Sequence, residues 1–115
     1  IYDTAWYSGS SKPGEIGAAV IDGHYGGPTT SGVFSRLGQV KKDSKIVVER
    51  GDGKQLTFRV VAVETVAANA VDMLKVLTST DSAKPGLNLI TCGGKYNAKS
   101  FEFGDRTVVY SVLEQ

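Results

Sequence analysis

An all-β fold, curled into a barrel or sandwich, follows from three features of this 115-residue chain. Short β-branched runs recur along it, Gly-rich turns separate them, and only two stretches have helical spacing. Periodicity does not choose between barrel and sandwich, although a barrel would remove exposed sheet edges. The length suits one domain over residues 1–115, with no repeat or linker to divide it.

The elements can be taken in order. Ala18-Ala19-Val20-Ile21 is a short apolar strand that ends at Asp22-Gly23-His24. Ser31 to Gly38 has a capping Ser, a terminal Gly, and Val33 and Leu37 four apart, which predicts a short helix. Lys45 to Arg50 and Leu56 to Val63 are β-rich runs joined by Gly51-Asp52-Gly53, the pattern of a hairpin. A second helix is expected from Asn69 to Leu77, with Asn69 as cap and an apolar set of Val71, Met73, Leu74 and Leu77. Thr78 to Gly86 is a polar loop, and Leu87 to Thr91 is a further strand. In the last strand, Thr107 to Leu113, the side chains of Val108, Tyr110 and Val112 face one way. Those of Thr107, Val109, Ser111 and Leu113 face the other.

Composition excludes several functions. Apolar residues make up 41% and charged residues 22%, ordinary values for a globular protein. The formal charge is +1, and Lys41-Lys42 is the only adjacent basic pair, so no nucleic-acid partner is expected. No apolar run approaches the roughly 18 residues of a membrane span. The chain begins at Ile1 without a charged-then-apolar leader, so any anchor is expected outside it.

The chemistry-bearing candidates stand at strand ends. The chain has one Cys and one His, a combination that hints at a thiol nucleophile. Cys92 closes the run Leu89-Ile90-Thr91 and precedes Gly93-Gly94, where a substrate backbone could approach closely. His24 occupies the matching place after Ala18 to Ile21 and before Tyr25-Gly26-Gly27. Arg106 follows fourteen residues after Cys92 and would return beside the thiol if the two strands pair. The competing reading makes Cys92 a core residue, His24 a solvated loop residue and Arg106 an edge cation paired with Asp105 or Glu102. One His and one Cys do not complete a zinc site, even with Asp22 or Asp105 recruited, so neither metal nor cofactor is expected.

These segments resemble the sortase family. Leu89-Ile90-Thr91-Cys92 is similar to its L-x-T-C motif, and the following Gly93-Gly94 resembles the class E and class F branches. Pro13-Gly14-Glu15-Ile16-Gly17 leading to Gly23-His24 resembles the approach to the family's catalytic His. Val33-Phe34-Ser35-Arg36-Leu37 with Lys45 to Val48, and Asp105 to Tyr110, match two further stretches, the second carrying the essential Arg. The likeness runs from about Trp6 to Leu113. Sortase domains usually open with strands before the Pro-Gly-Glu region, and this chain is expected to start after them.

The resemblance implies an eight-stranded β-barrel and a cysteine transpeptidase. Cys92 would be the nucleophile, His24 the proton carrier and Arg106 the oxyanion stabiliser. The substrate would be an LPxTG-like sorting signal of secreted surface proteins, cut between Thr and Gly. The acyl group would pass to an amine of a cell-wall peptide or pilin, at the extracellular face of the membrane. The resemblance adds Thr91 to the substrate-binding residues and puts a pocket for the signal's Leu beside Val71, Leu74 and Leu77; the plainer alternative is that these three cover the core. Two rival functions remain. A papain-type hydrolase places its Cys before its His, the reverse of the order here. A non-catalytic β-barrel binding module would bury Cys92, and a piece without the opening strands would be an inactive sortase fragment.

Overall fold

The structure, a computed structural model, describes residues 4–23, 37–67, 70–91, 96–97, 102–103 and 105–114. The strands are β1 (Thr4–Trp6), β2 (Ala18–Gly23), β3 (Lys45–Glu49), β4 (Gln55–Ala67), β5 (Gly86–Thr91), β6 (Tyr96–Asn97), β7 (Glu102–Phe103) and β8 (Asp105–Leu113). Among the described residues, helix is confined to a 3₁₀ turn, Leu37–Gln39, and one α-turn, α1 (Met73–Val76). Six strands form one sheet in the order β1-β2-β5-β8-β4-β3, and β6 and β7 form a separate two-stranded ribbon.

The β2–β5 pair is parallel, whereas every other strand pair among the described residues is antiparallel. A parallel pair needs a long crossover. Here the chain between them contributes β3, β4 and α1 before returning. β5 then lies between β2 and β8, which fixes the centre of the sheet.

Both faces of that centre are covered. One face collects Ala19, Leu87, Leu89, Val109, Leu56, Phe58 and Val60, with Ile46, Val48, Val63 and Leu113 packed against them. The other gathers Val20, Val108, Tyr110 and Val76, with Val61, Ala62, Val71, Leu77 and Ile90 at its margin. This is the alternation expected for the last strand, with Val108 and Tyr110 on one side and Val109 and Leu113 on the other. Strand β4 changes faces part-way. Val60 pairs with Ser111 but Ala62 pairs with Tyr110, so Val61 is an extra residue. The bulge lets Val61 and Ala62 share a face and bends this 13-residue strand around the core.

The sheet curls as a half-barrel. Its edge strands β1 and β3 border one depression, lined by Trp6 on one side and by Val48, Glu49 and Arg50 on the other. Lys12, Pro13 and Glu15, from the turn between β1 and β2, lie between the edges. Gly14 sits there at φ +91°, and a Cβ on it would come within 2.9 Å of the Leu56 side chain, so the turn can seat on β4 only with glycine.

The hairpin predicted at Gly51-Asp52-Gly53 forms, with Gly53 at φ +84° and its N–H donating to the Arg50 carbonyl at 2.9 Å. Other expectations need correction. The helix expected over Asn69 to Leu77 shrinks to Met73–Val76, capped by Asp72, whose carboxylate accepts from the Lys75 N–H at 3.2 Å. With β-branched Val71 and Val76 at its ends, this segment has too little local propensity to propagate beyond one turn. Asn69 lies outside the described residues, as does most of the helix expected over Ser31 to Gly38, of which only the 3₁₀ turn at its end is described. Strand β4 runs four residues beyond Val63, because β8 pairs with it as far as Ala67. Strand β1 was not expected, since three residues are too few to show alternation, and it pairs with β2.

α1 is held to the sheet by Asn88. This side chain is fully buried on β5, and its Nδ2 donates to the carbonyls of Val76 at 2.7 Å and Thr78 at 3.2 Å. Those carbonyls have no helix beyond them to supply a donor. Asn88→Ala should therefore cost about 1–3 kcal/mol in urea unfolding, whereas a stability equal to wild type would show that α1 holds its place without this link.

Candidate active site

The central register brings three strand ends to one level. In the parallel pair, Gly23 lies opposite Thr91, and in the antiparallel pair Thr91 lies opposite Thr107. One step further along the three strands, the sequence carries His24, Cys92 and Arg106. His24 and Cys92 lie outside the described residues. Arg106 is described: it pairs with Val66 of β4, its side chain is half-buried, and it takes part in a polar interaction.

Arg106 lines a cavity of about 230 Å³ at this end of the sheet, together with Thr91, Asp22, Val20, Ile90, Tyr7 and Met73. Strand alternation explains most of the set, because Val20 and Asp22 share a face of β2, Ile90 lies opposite Asp22 on β5, and Arg106 shares the face of Val108 on β8; Thr91, next to Ile90, turns its side chain to the other face. Thr91 is fully buried, and its Oγ1 has no hydrogen-bond partner among the described residues. A buried hydroxyl without a partner is costly. Behind the cavity, the hydroxyls of Thr107 and Thr65 meet at 3.2 Å and join β8 to β4.

Tyr7 and Met73 form exposed apolar walls of the cavity, 48% and 43% accessible. The position of Tyr7 is set by its backbone, whose N–H donates to the Val20 carbonyl at 2.8 Å. Sequence reasoning did not single out Tyr7, and it treated Asp22 only in connection with a metal. Nothing in local periodicity marks either residue, because their convergence depends on the pairing of β1 with β2 and of β2 with β5.

Among the residues expected to wall a pocket for the signal's Leu, Val71 and Leu77 pack at the margin of the second core. Leu74 is 78% exposed and borders a different depression with Thr78 and Thr80. Met73, which was not among the residues expected to wall that pocket, lines the cavity with Arg106, whereas Val71, Leu74 and Leu77 do not.

A polar cluster positions α1 beside the cavity. Lys75 Nζ donates to Glu64 Oε2 at 2.8 Å and lies 5.2 Å from the centre of the Tyr110 ring. The Tyr110 hydroxyl donates to Glu64 Oε1 at 3.3 Å. Burial, then the charge of Glu64, the hydrogen bond to it and the charge of Asp72 push the Tyr110 phenol up to about 12. The protonated phenol therefore supports the fold fully below the ordinary tyrosine value of about 10, and this support is lost as pH rises through about 12. Spectroscopic titration should show a late-titrating tyrosine in the wild type that Tyr110→Phe removes. An ordinary titration of every tyrosine would contradict the cluster.

A family profile described as "Sortase domain" matches residues 2–114. Among solved structures, the chain is similar to sortase A from Corynebacterium diphtheriae, with 26% identity and a TM-score of 0.77 over 97% of this chain and 48% of that one. It is also similar to sortase C of Streptococcus pneumoniae, a structure described as bearing on catalysis and pilin substrate specificity. There the identity is 25% and the TM-score 0.75, over 97% of this chain and 53% of that one. Sortase C2 of group B Streptococcus pilus island 1 shares the fold, with 24% identity and a TM-score of 0.74 over 97% and 58% of the two chains. The chain thus spans about half the length of these relatives. No curated protein matches it.

Proposed function

The chain belongs to the sortase family, and from that premise we propose that it serves a cysteine transpeptidase that cuts an LPxTG-like sorting signal between Thr and Gly. The observation that carries this reading is the aligned row Gly23–Thr91–Thr107 with its cavity. The next sequence positions hold an imidazole, a thiol and a guanidinium, the three groups that acyl transfer through a thioester needs.

The roles follow from chemistry. The Cys92 thiolate attacks the scissile carbonyl, and the negative charge that develops on its oxygen is met by Arg106, a fixed cation with five N–H donors. The His24 imidazolium gives its proton to the departing amine, which leaves a thioacyl enzyme. An acceptor amine then attacks the thioester, and the thiolate is released. Thr91, which lines the cavity, contributes its backbone to peptide binding, and Met73 contributes apolar contact. The substrates would be secreted surface proteins, and the acceptor an amine of a cell-wall peptide or a pilin. Such a reaction belongs at the extracellular face of the membrane.

Peptide cleavage by single variants tests these roles. Cys92→Ala should abolish cleavage while the protein stays folded. Arg106→Ala should lower kcat by about 10²–10³, the scale of a lost oxyanion donor. Arg106→Lys keeps the charge without the planar fork and should recover only part of that. Full activity of Cys92→Ala would remove the mechanism, and full activity of Arg106→Ala would return Arg106 to a structural role. The wild-type rate should follow a bell in pH, since one partner must be protonated and the other ionised; a rate still rising well past the thiol range would exclude His24 as the acid.

A further inference from the structure

Arg106 is the second residue of β8, at a strand end of the kind that frays. Beyond its pair with Val66, β8 and β4 share one more pair among the described residues, Asp105 with Ala67. The next pair inward is Thr65 with Thr107, and its hydroxyls meet at 3.2 Å, a bond between side chains across the two strands. Thr107 is 8% exposed, whereas Thr65 faces solvent, so a buried hydroxyl is satisfied from the neighbouring strand. Other elements close on the same residue. Thr107 lies opposite Thr91 of β5, on the face that carries Val109. The 3₁₀ turn covers it: a Cβ on Gly38 would stand 3.8 Å from the Thr107 hydroxyl oxygen, and Leu37 is buried in the same core as Val109. Thr107 is thus held from β4, β5 and the turn at once. Arg106, one residue away, turns to the opposite face and lines the cavity. Its backbone takes its place from that neighbour, whichever group its guanidinium meets.

Resting on the acyl-transfer reading above, we infer that Thr65 and Thr107 are positioning residues for Arg106, fixing the strand end from which its guanidinium meets the oxyanion. Their hydroxyls lie on the face of the sheet away from the cavity, so they act through Arg106 and not on the peptide. Oxyanion stabilisation depends on donors that are already in place when charge develops. A displacement of about 1 Å, caused by a change far from the chemistry, can cost about 10² in rate. Loss of the hydroxyl bond should therefore fall on kcat and leave the KM of the peptide alone.

The test is cleavage of an LPxTG-type peptide by the whole protein, with each variant made alone and together with Arg106→Ala. Thr65→Val keeps the shape of the side chain and removes its hydroxyl, leaving Thr107 buried without its partner. It should lower kcat about fivefold, a fraction of the loss expected for Arg106 itself, with KM unchanged. Thr65→Ser returns the hydroxyl and should restore most of the rate. Thr107→Val removes the other half of the bond and should give a similar loss, with no further loss in the double variant. In the Arg106→Ala background, Thr65→Val should change kcat by less than about twofold, because the group that it positions is gone. A thermal melt checks that each variant is folded at the assay temperature. An unchanged kcat in both valine variants, or the same fold-loss with and without Arg106, would overturn the assignment, the second by showing that the pair serves the fold or another group. If wild type forms no thioacyl adduct in mass spectra, the acyl-transfer reading itself fails, and the positioning role of the pair fails with it.

Discussion

The site depends on one parallel strand pair. Strand β2 runs beside β5 in parallel, so both point towards the same end of the sheet, and β8 runs back from that end against β5. No arrangement of hairpins alone would let the C-terminal ends of β2 and β5 lie side by side. The register matters as much as the direction. Gly23, Thr91 and Thr107 share a level, and a slip of one residue would send Asp22, Ile90 and their neighbours to the opposite face. Burial resists such a slip. Ala19, Leu87 and Val109 are fully buried on one side, and Val20 and Val108 nearly so on the other, and a one-residue shift of β5 would put Asn88 where Leu87 is buried and take its amide from the carbonyls of Val76 and Thr78.

The second core links this scaffold to the wall of the cavity. Val76 is buried against the face of Val20, Val108 and Tyr110, while Met73, three residues earlier on α1, lines the cavity with Arg106. A single helical turn has almost no stability of its own. Its position therefore rests on contacts made by other elements: the amide of Asn88 on its terminal carbonyls, the carboxylate of Glu64 on Lys75, and the ring of Tyr110 beneath that lysine. The α1 wall of the cavity is thus set by polar groups on β4, β5 and β8, the last two of which also define the row at the strand ends.

Much of the fold was legible from local pattern. The hairpin at Gly51-Asp52-Gly53 and the two faces of Thr107 to Leu113 follow from turn chemistry and period-two alternation, and both are found. Features that depend on distant partners were not legible. Strand β1 exists because Thr4–Trp6 pairs with β2, and the bulge at Val61 appears only against β8. The helix around Met73 was overestimated because an apolar 3.6-residue spacing also describes a loop that covers a sheet. The chemical triad was proposed from His24, Cys92 and Arg106 standing beside strand ends. The structure adds the alignment of those ends and the cavity at Arg106, while His24 and Cys92 themselves lie outside the described residues. Asp22 and Tyr7 could not be assigned to the cavity from sequence, because a strand's neighbours across a parallel pair leave no mark on its own periodicity.

The central claim is that this strand-end row supports a thioacyl intermediate, and intact-protein mass spectrometry with an LPxTG-type peptide tests it directly. The account predicts a mass increase equal to the peptide up to and including its Thr less one water, located by fragmentation on Cys92. Cleavage of the peptide without any adduct on Cys92 under conditions that trap thioesters, or an adduct on another residue, would contradict it.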